Sequence, residues 1–104
     1  MASKFQEKLA REAFQDIDEI LDNAKNKTEK TRFTNSLVKQ VKHLKEYPEA
    51  GPIDYKQFRV LNFIKLPFKL VYRIVKPSTI FVLAIFHQKR DPESWKDRAD
   101  KYDS

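Results

Sequence analysis

The sequence predicts an α+β domain in which a short N-terminal strand and a helical hairpin pack on a mainly antiparallel sheet, completed by a three-strand C-terminal meander. Three observations carry this expectation. Apolar residues recur at helical spacing between Ala13 and Leu44. The single glycine, Gly51, follows the helix-stopping Pro48. Beyond it the apolar period falls from about 3.6 to 2.

Lys4 to Leu9 alternates weakly around Phe5 and Leu9 and is expected as an edge strand. Ala13, Phe14, Ile17, Ile20, Leu21 and Ala24 then form a helical stripe, with Asp16, Asp18, Glu19 and Asp22 on the other faces. Asn26 to Thr28 breaks the pattern and offers N-caps, with Glu29 three residues after Asn26. Phe33, Leu37, Val41 and Leu44 make the second stripe, and Gly51 is expected to adopt a backbone conformation that other residues resist. Phe58 to Ile64, Phe68 to Val75 and Ile80 to His87 read as three strands, separated by breaks short enough for hairpins at Lys65–Pro67 and Lys76–Ser78. The wholly apolar Ile80–Phe86 run should be central or covered on both faces. Trp95 is the lone large apolar residue of the polar tail and suggests a short helix or turn there, after a turn signal at Asp91-Pro92.

A chain of 104 residues fits one domain, spanning 1–104, with one two-layer core. Hydrophobic residues at 40% argue against disorder despite 35% charged residues. The absence of cysteine excludes disulfide stapling and thiolate metal sites, and is compatible with a reducing cytoplasm. One glycine leaves no phosphate loop, two histidines leave no metal constellation, and no cofactor is expected. No apolar segment has the length of a signal peptide core or membrane helix, so a soluble cytoplasmic protein is expected.

The net charge of +6 is unevenly spread: residues 52–90 hold eight basic side chains against one acid, whereas residues 1–51 hold ten against nine. Such a segment attracts polyanions or acidic proteins. If Ile64 pairs opposite Phe68, then Lys69 falls opposite Phe63 and Arg73 opposite Arg59, so converging cations would share the sheet face that the hairpin leaves open. His87 and Arg90 follow the end of the last strand. Only His87 there transfers protons near neutral pH, and Arg90 suits a phosphate or a carboxylate.

The run Leu44-x-x-Tyr47-Pro48-Glu49-x-Gly51, then Arg59, Leu66-Pro67-Phe68-Lys69-Leu70-Val71-Tyr72-Arg73, Ile80 to Ile85 and His87-x-x-Arg90-x-Pro92-x-x-Trp95 resembles the RelE/ParE toxin superfamily over about residues 4 to 98. The resemblance implies the toxin of a type II toxin–antitoxin, or plasmid stabilisation, pair. An acidic antitoxin would wrap it in a hetero-oligomer, for which the basic segment is a landing surface. In the RelE-like branch, an endoribonuclease acting on mRNA in the ribosome, Arg59, Lys69 and Arg90 would stabilise charge and His87 would be the acid/base. In the ParE-like branch the protein binds and poisons DNA gyrase, the cationic residues would only bind, and His87 would be structural. Tyr72, Arg73, Lys89 and Trp95 belong to the same motifs and are expected to contact the target or partner. The His87-x-x-Arg90-x-Pro92 ending and the Leu44-to-Gly51 corner resemble the ParE-like branch more. A non-toxic interaction module is the third reading.

Overall fold

The computed structural model describes residues 4–90 and 93–102. In chain order it contains β1 (Gln6–Leu9), α1 (Arg11–Asp22), α2 (Lys27–Glu46), β2 (Ile53–Tyr55), β3 (Phe58–Asn62), β4 (Phe68–Val75), β5 (Thr79–His87) and α3 (Lys96–Tyr102). The five strands form one sheet in the order β1-β5-β4-β3-β2, with β1 parallel to β5 and the other pairs antiparallel. The expected strand, hairpin and meander are all present. Three-residue β2 is an additional edge strand, too short for its period to be read from the sequence. The Asp91-Pro92 turn lies outside the described residues.

Local chemistry explains the boundaries. Asn26 caps α2, its side-chain oxygen accepting from Glu29 N at 2.9 Å, while Glu29 accepts from Lys25 N at 2.7 Å. The α1 stripe is rotated from the expected one. Ala13 is fully buried, and Phe14, about 100° round the helix from it, is 57% exposed. The polar side chain that the stripe places outside, Asp16, is buried instead.

The core lies between the hairpin and the sheet. Ile80, Val82, Leu83, Ala84, Ile85 and Phe86 of β5 are all buried, each larger aliphatic contributing about 1.5–3 kcal/mol. Phe33 of α2 stacks on Phe63 and meets the edge of Phe68, which marks the sheet face that the hairpin covers. Trp95 is buried against Tyr55 and Phe58, so α3 and the segment before it cover part of the other face.

Gly51 sits where the chain returns from α2 to the sheet. Contrary to expectation its φ is not positive. The need for glycine is steric, since a Cβ there would lie 2.8 Å from the Val60 carbonyl oxygen. The fully buried Tyr72 fastens this corner, its hydroxyl donating to Pro48 O at 2.7 Å and accepting from Gly51 N at 3.0 Å. Burial raises its pKa, which keeps the phenol a donor at physiological pH.

β1 covers only half of β5. Its ladder ends where Ala10 N donates to Val82 O, and the chain then turns into α1. Further along, the Ile85 N–H on the same strand donates to Asp16 at 3.0 Å. Arg98 of α3 grips both oxygens of that carboxylate, at 2.7 and 3.0 Å. Glu12, one turn earlier on α1, accepts from Tyr102 OH at 2.7 Å and from Lys101 at 3.1 Å. The first of these bonds is the main reason that Glu12 is lowered from its ordinary value of 4.5 to about 2.

We therefore expect Tyr72→Phe, which strands Gly51 N and Pro48 O, to cost about 1–3 kcal/mol in urea unfolding. A lowered carboxylate pKa stabilises fully above the ordinary value and loses that contribution as pH falls through the folded one. The tie of α3 to α1 should therefore weaken between pH 4.5 and about 2. Fluorescence of Trp95 should report a pH dependence in that window, and Glu12→Gln should flatten it.

Candidate functional site

The register of β3 against β4 decides which side chains meet. Arg59 lies opposite Tyr72, Val60 opposite Val71, Leu61 opposite Leu70 and Asn62 opposite Lys69. This is one residue away from the pairing expected from the hairpin length. The slip moves Lys69 and Arg73 to the face opposite the one that carries Arg59. The expected open face bearing Arg59, Lys69, His87 and Arg90 together is therefore not formed. The tight connection between the strands accounts for the difference. Lys65 takes a left-handed backbone with φ 65°, and Phe63 N donates to Phe68 O at 2.9 Å, closing the ladder one pair later than Ile64–Phe68.

Each expected residue then has its own environment. Arg59 points toward the corner, donating to Gly51 O at 2.8 Å and Glu49 O at 3.4 Å. Arg73 lies over the Phe58 ring and donates to Tyr102 O at 3.3 Å. Lys69, half-buried, stands opposite Phe86 on the α3 side of the sheet. Tyr72 and Trp95 are buried, so neither presents a contact surface to a partner here. Lys89 is exposed, and its N–H donates to His87 Nδ1 at 3.1 Å.

His87 and Arg90 do come together. They line a cleft of about 650 Å³ between the hairpin and the tip of the β3–β4 connection. Ile20 and Ala24 of α1, Phe33 of α2, Leu66 and Phe68 at the connection, and Ile85 of β5 form its apolar wall. Arg32, Lys65, His87 and Arg90 supply basic groups against Glu19 and Glu29, while Asp16 at its base is already held by Arg98. The His87 ring meets the edge of Phe68 at 5.5 Å between centroids. Because Nδ1 accepts from Lys89 N, the neutral ring carries its proton on Nε2. The cleft can receive an apolar side chain flanked by acidic groups, or an anion. Among the described residues no cluster of three or more His, Cys, Asp or Glu could hold a metal.

The sequence reading missed Asp16, Glu12, Arg98 and Tyr102. A signal for the helix was present: Trp95, Ala99 and Tyr102 follow at helical spacing, and all three pack inward. Nothing in the pattern named the partners of its charges.

A small basic α+β domain with a helical hairpin on a five-stranded mixed sheet, closed by a C-terminal helix, is the class of protein that these features define. The model of the ParE toxin of the type II toxin–antitoxin system parDE matches residues 8–92, and the chain belongs to that family. Among solved structures it is similar to a chain of the chromosomal ParDE toxin–antitoxin system from P. aeruginosa, with 27% identity, a TM-score of 0.67, and coverage of 80% of this chain and 95% of that one. It shares its fold with a double arginine-to-alanine mutant of the E. coli toxin RelE in the free state, at 15% identity and a TM-score of 0.65, covering 99% and 100% of the two chains. No curated protein sequence matches. Among the described residues no helix is long and apolar enough to cross a membrane.

Asp16 is the residue on which the cleft's base depends. Asp16→Ala leaves Arg98 and the Ile85 N–H without their acceptor and should cost about 3 kcal/mol or more in chemical denaturation.

Proposed function

We propose that this chain is a growth-inhibiting toxin that acts in the cytoplasm by binding DNA gyrase, and that an acidic antitoxin restrains it. The observation that carries this reading is the separation of Arg59 and Lys69 from His87 and Arg90. Phosphodiester cleavage needs an acid, a base and charge-stabilising cations aimed at one reacting phosphate. Arg59 is committed to backbone carbonyls of the corner, Lys69 faces the other side of the sheet, and only His87 and Arg90 share a site. A binder has no such requirement, since its cations need only match a surface. Membership of the ParE toxin family and similarity to a ParDE system support the same branch and an antitoxin partner. The cleft offers that partner an apolar wall with basic groups beside it, the combination that receives an acidic amphipathic segment.

Expression without an antitoxin should arrest growth with filamentation and a DNA-damage response, and the purified protein should inhibit supercoiling by gyrase. His87→Ala should leave that inhibition within about twofold, because on this reading no proton is transferred. Rapid loss of translation with cleaved mRNA, abolished by His87→Ala, would replace this reading with the ribosome-dependent nuclease.

A further inference from the structure

The near-neutrality of residues 1–51 conceals a division that the fold makes spatial. α1 carries Glu12, Asp16, Asp18, Glu19 and Asp22 against Arg11, whereas α2 carries six basic residues against Glu29 and Glu46. We propose that the outward face of α2 is a docking surface for double-stranded DNA, contacted through the phosphate backbone without sequence preference. This inference does not rest on the gyrase reading.

Lys27, Arg32, Lys39 and Lys42 are all exposed; Lys39 and Lys42 point away from Phe33 and Leu44, Lys27 flanks them, and Arg32 stands at the border between this face and the cleft, which it also lines. Among the described residues no ion pair engages any of the four, whereas Lys45 on the same helix is paired with Glu7 and Lys56 with Asp100. Between Lys27 and Lys42 the cations run along about 22 Å of a straight helix. Both acids of α2 lie outside this stretch of its outward face. Glu29 is turned toward Lys25 N, and Glu46 lies beyond the last cation.

A shallow open groove follows the face, lined by Lys27, Arg32 and Lys39 and between them by the hydroxyl and amide groups of Thr28, Thr31 and Asn35. Its lining contains no apolar or aromatic side chain, and Val38, 60% exposed beside it, is a lone apolar residue rather than an apolar centre. That composition decides the occupant. A protein partner would require an apolar or aromatic centre. A single-stranded nucleic acid is held by aromatic platforms on which bases stack. An RNA duplex is recognised across two successive minor grooves, beyond the reach of one straight helix. Ammonium, guanidinium, hydroxyl and amide donors in one row match what proteins direct at the phosphates of duplex DNA.

The test is fluorescence anisotropy of a labelled DNA duplex of about twenty base pairs with the full chain, without gyrase or antitoxin, across 50–200 mM salt. Four phosphate contacts should give a slope of log affinity on log salt near −3.5, hence a fall of about a hundredfold over that range. Lys27→Ala, Arg32→Ala, Lys39→Ala and Lys42→Ala should each reduce the slope by about 1, and the four combined should remove binding. A control lacking Lys8, Arg11, Lys25 and Lys76 loses the same charge and should keep the slope. These side chains are exposed and outside the core, so Trp95 fluorescence should confirm that both variants are folded. Equal loss in the two variants, preference for an RNA duplex or a single strand, or no binding by the unaltered chain at 50 mM salt would each overturn the proposal.

Discussion

One buried carboxylate organises the molecule. Asp16 is 5% exposed and satisfies three donors on two other elements, the Ile85 N–H of β5 and two guanidinium nitrogens of Arg98 on α3. It completes the half of the β5 edge that β1 leaves uncovered, fixes the rotation of α1 against the sheet, and anchors a seven-residue helix that would be marginal alone. Desolvating a carboxylate is costly, and here charge-assisted bonds offset that cost, with the Arg98 pKa raised chiefly by its hydrogen bond to Asp16. The rotation explains two departures together. When Asp16 turns inward, Phe14 turns out.

The same contact shows why parts of the fold were legible and parts were not. Helix, strand and meander follow from the spacing of apolar residues, which is local information. The cap at Asn26 and the breaks before β4 and β5 are equally local. Asp16 and Arg98 are 82 positions apart, and neither breaks a pattern in its own neighbourhood. Their pairing is a property of three elements meeting, so periodicity assigns each to solvent.

The candidate site failed in the sequence reading for a different reason. Its residues were named correctly as charged and near strand ends, but their convergence depended on one register. Moving Arg59 from opposite Arg73 to opposite Tyr72 is a shift of a single residue, yet it puts Arg59 on one face of the sheet and Lys69 and Arg73 on the other. The chemistry favouring the actual register lies at the far end of the strands. Tyr72 can reach both Pro48 O and Gly51 N only if it faces the corner, and Arg59, directly opposite, then reaches Gly51 O beside it. A corner built around one glycine thus sets the orientation of side chains that a motif presents merely as a row.

Counting charge along the chain also misplaced where the protein is electrostatically active. The segment 52–90 is the most basic in sequence, but in the fold Arg59 serves carbonyls, Arg73 an aromatic ring and the end of α3, and Lys56 a carboxylate on α3. Such cations are largely compensated where they stand, and contribute less to the field outside than their number implies. On the hairpin the reverse holds. Two helices whose charges cancel in the sum carry them on separate elements, with Lys27, Arg32, Lys39 and Lys42 exposed on α2 and Asp18, Glu19 and Asp22 exposed on α1.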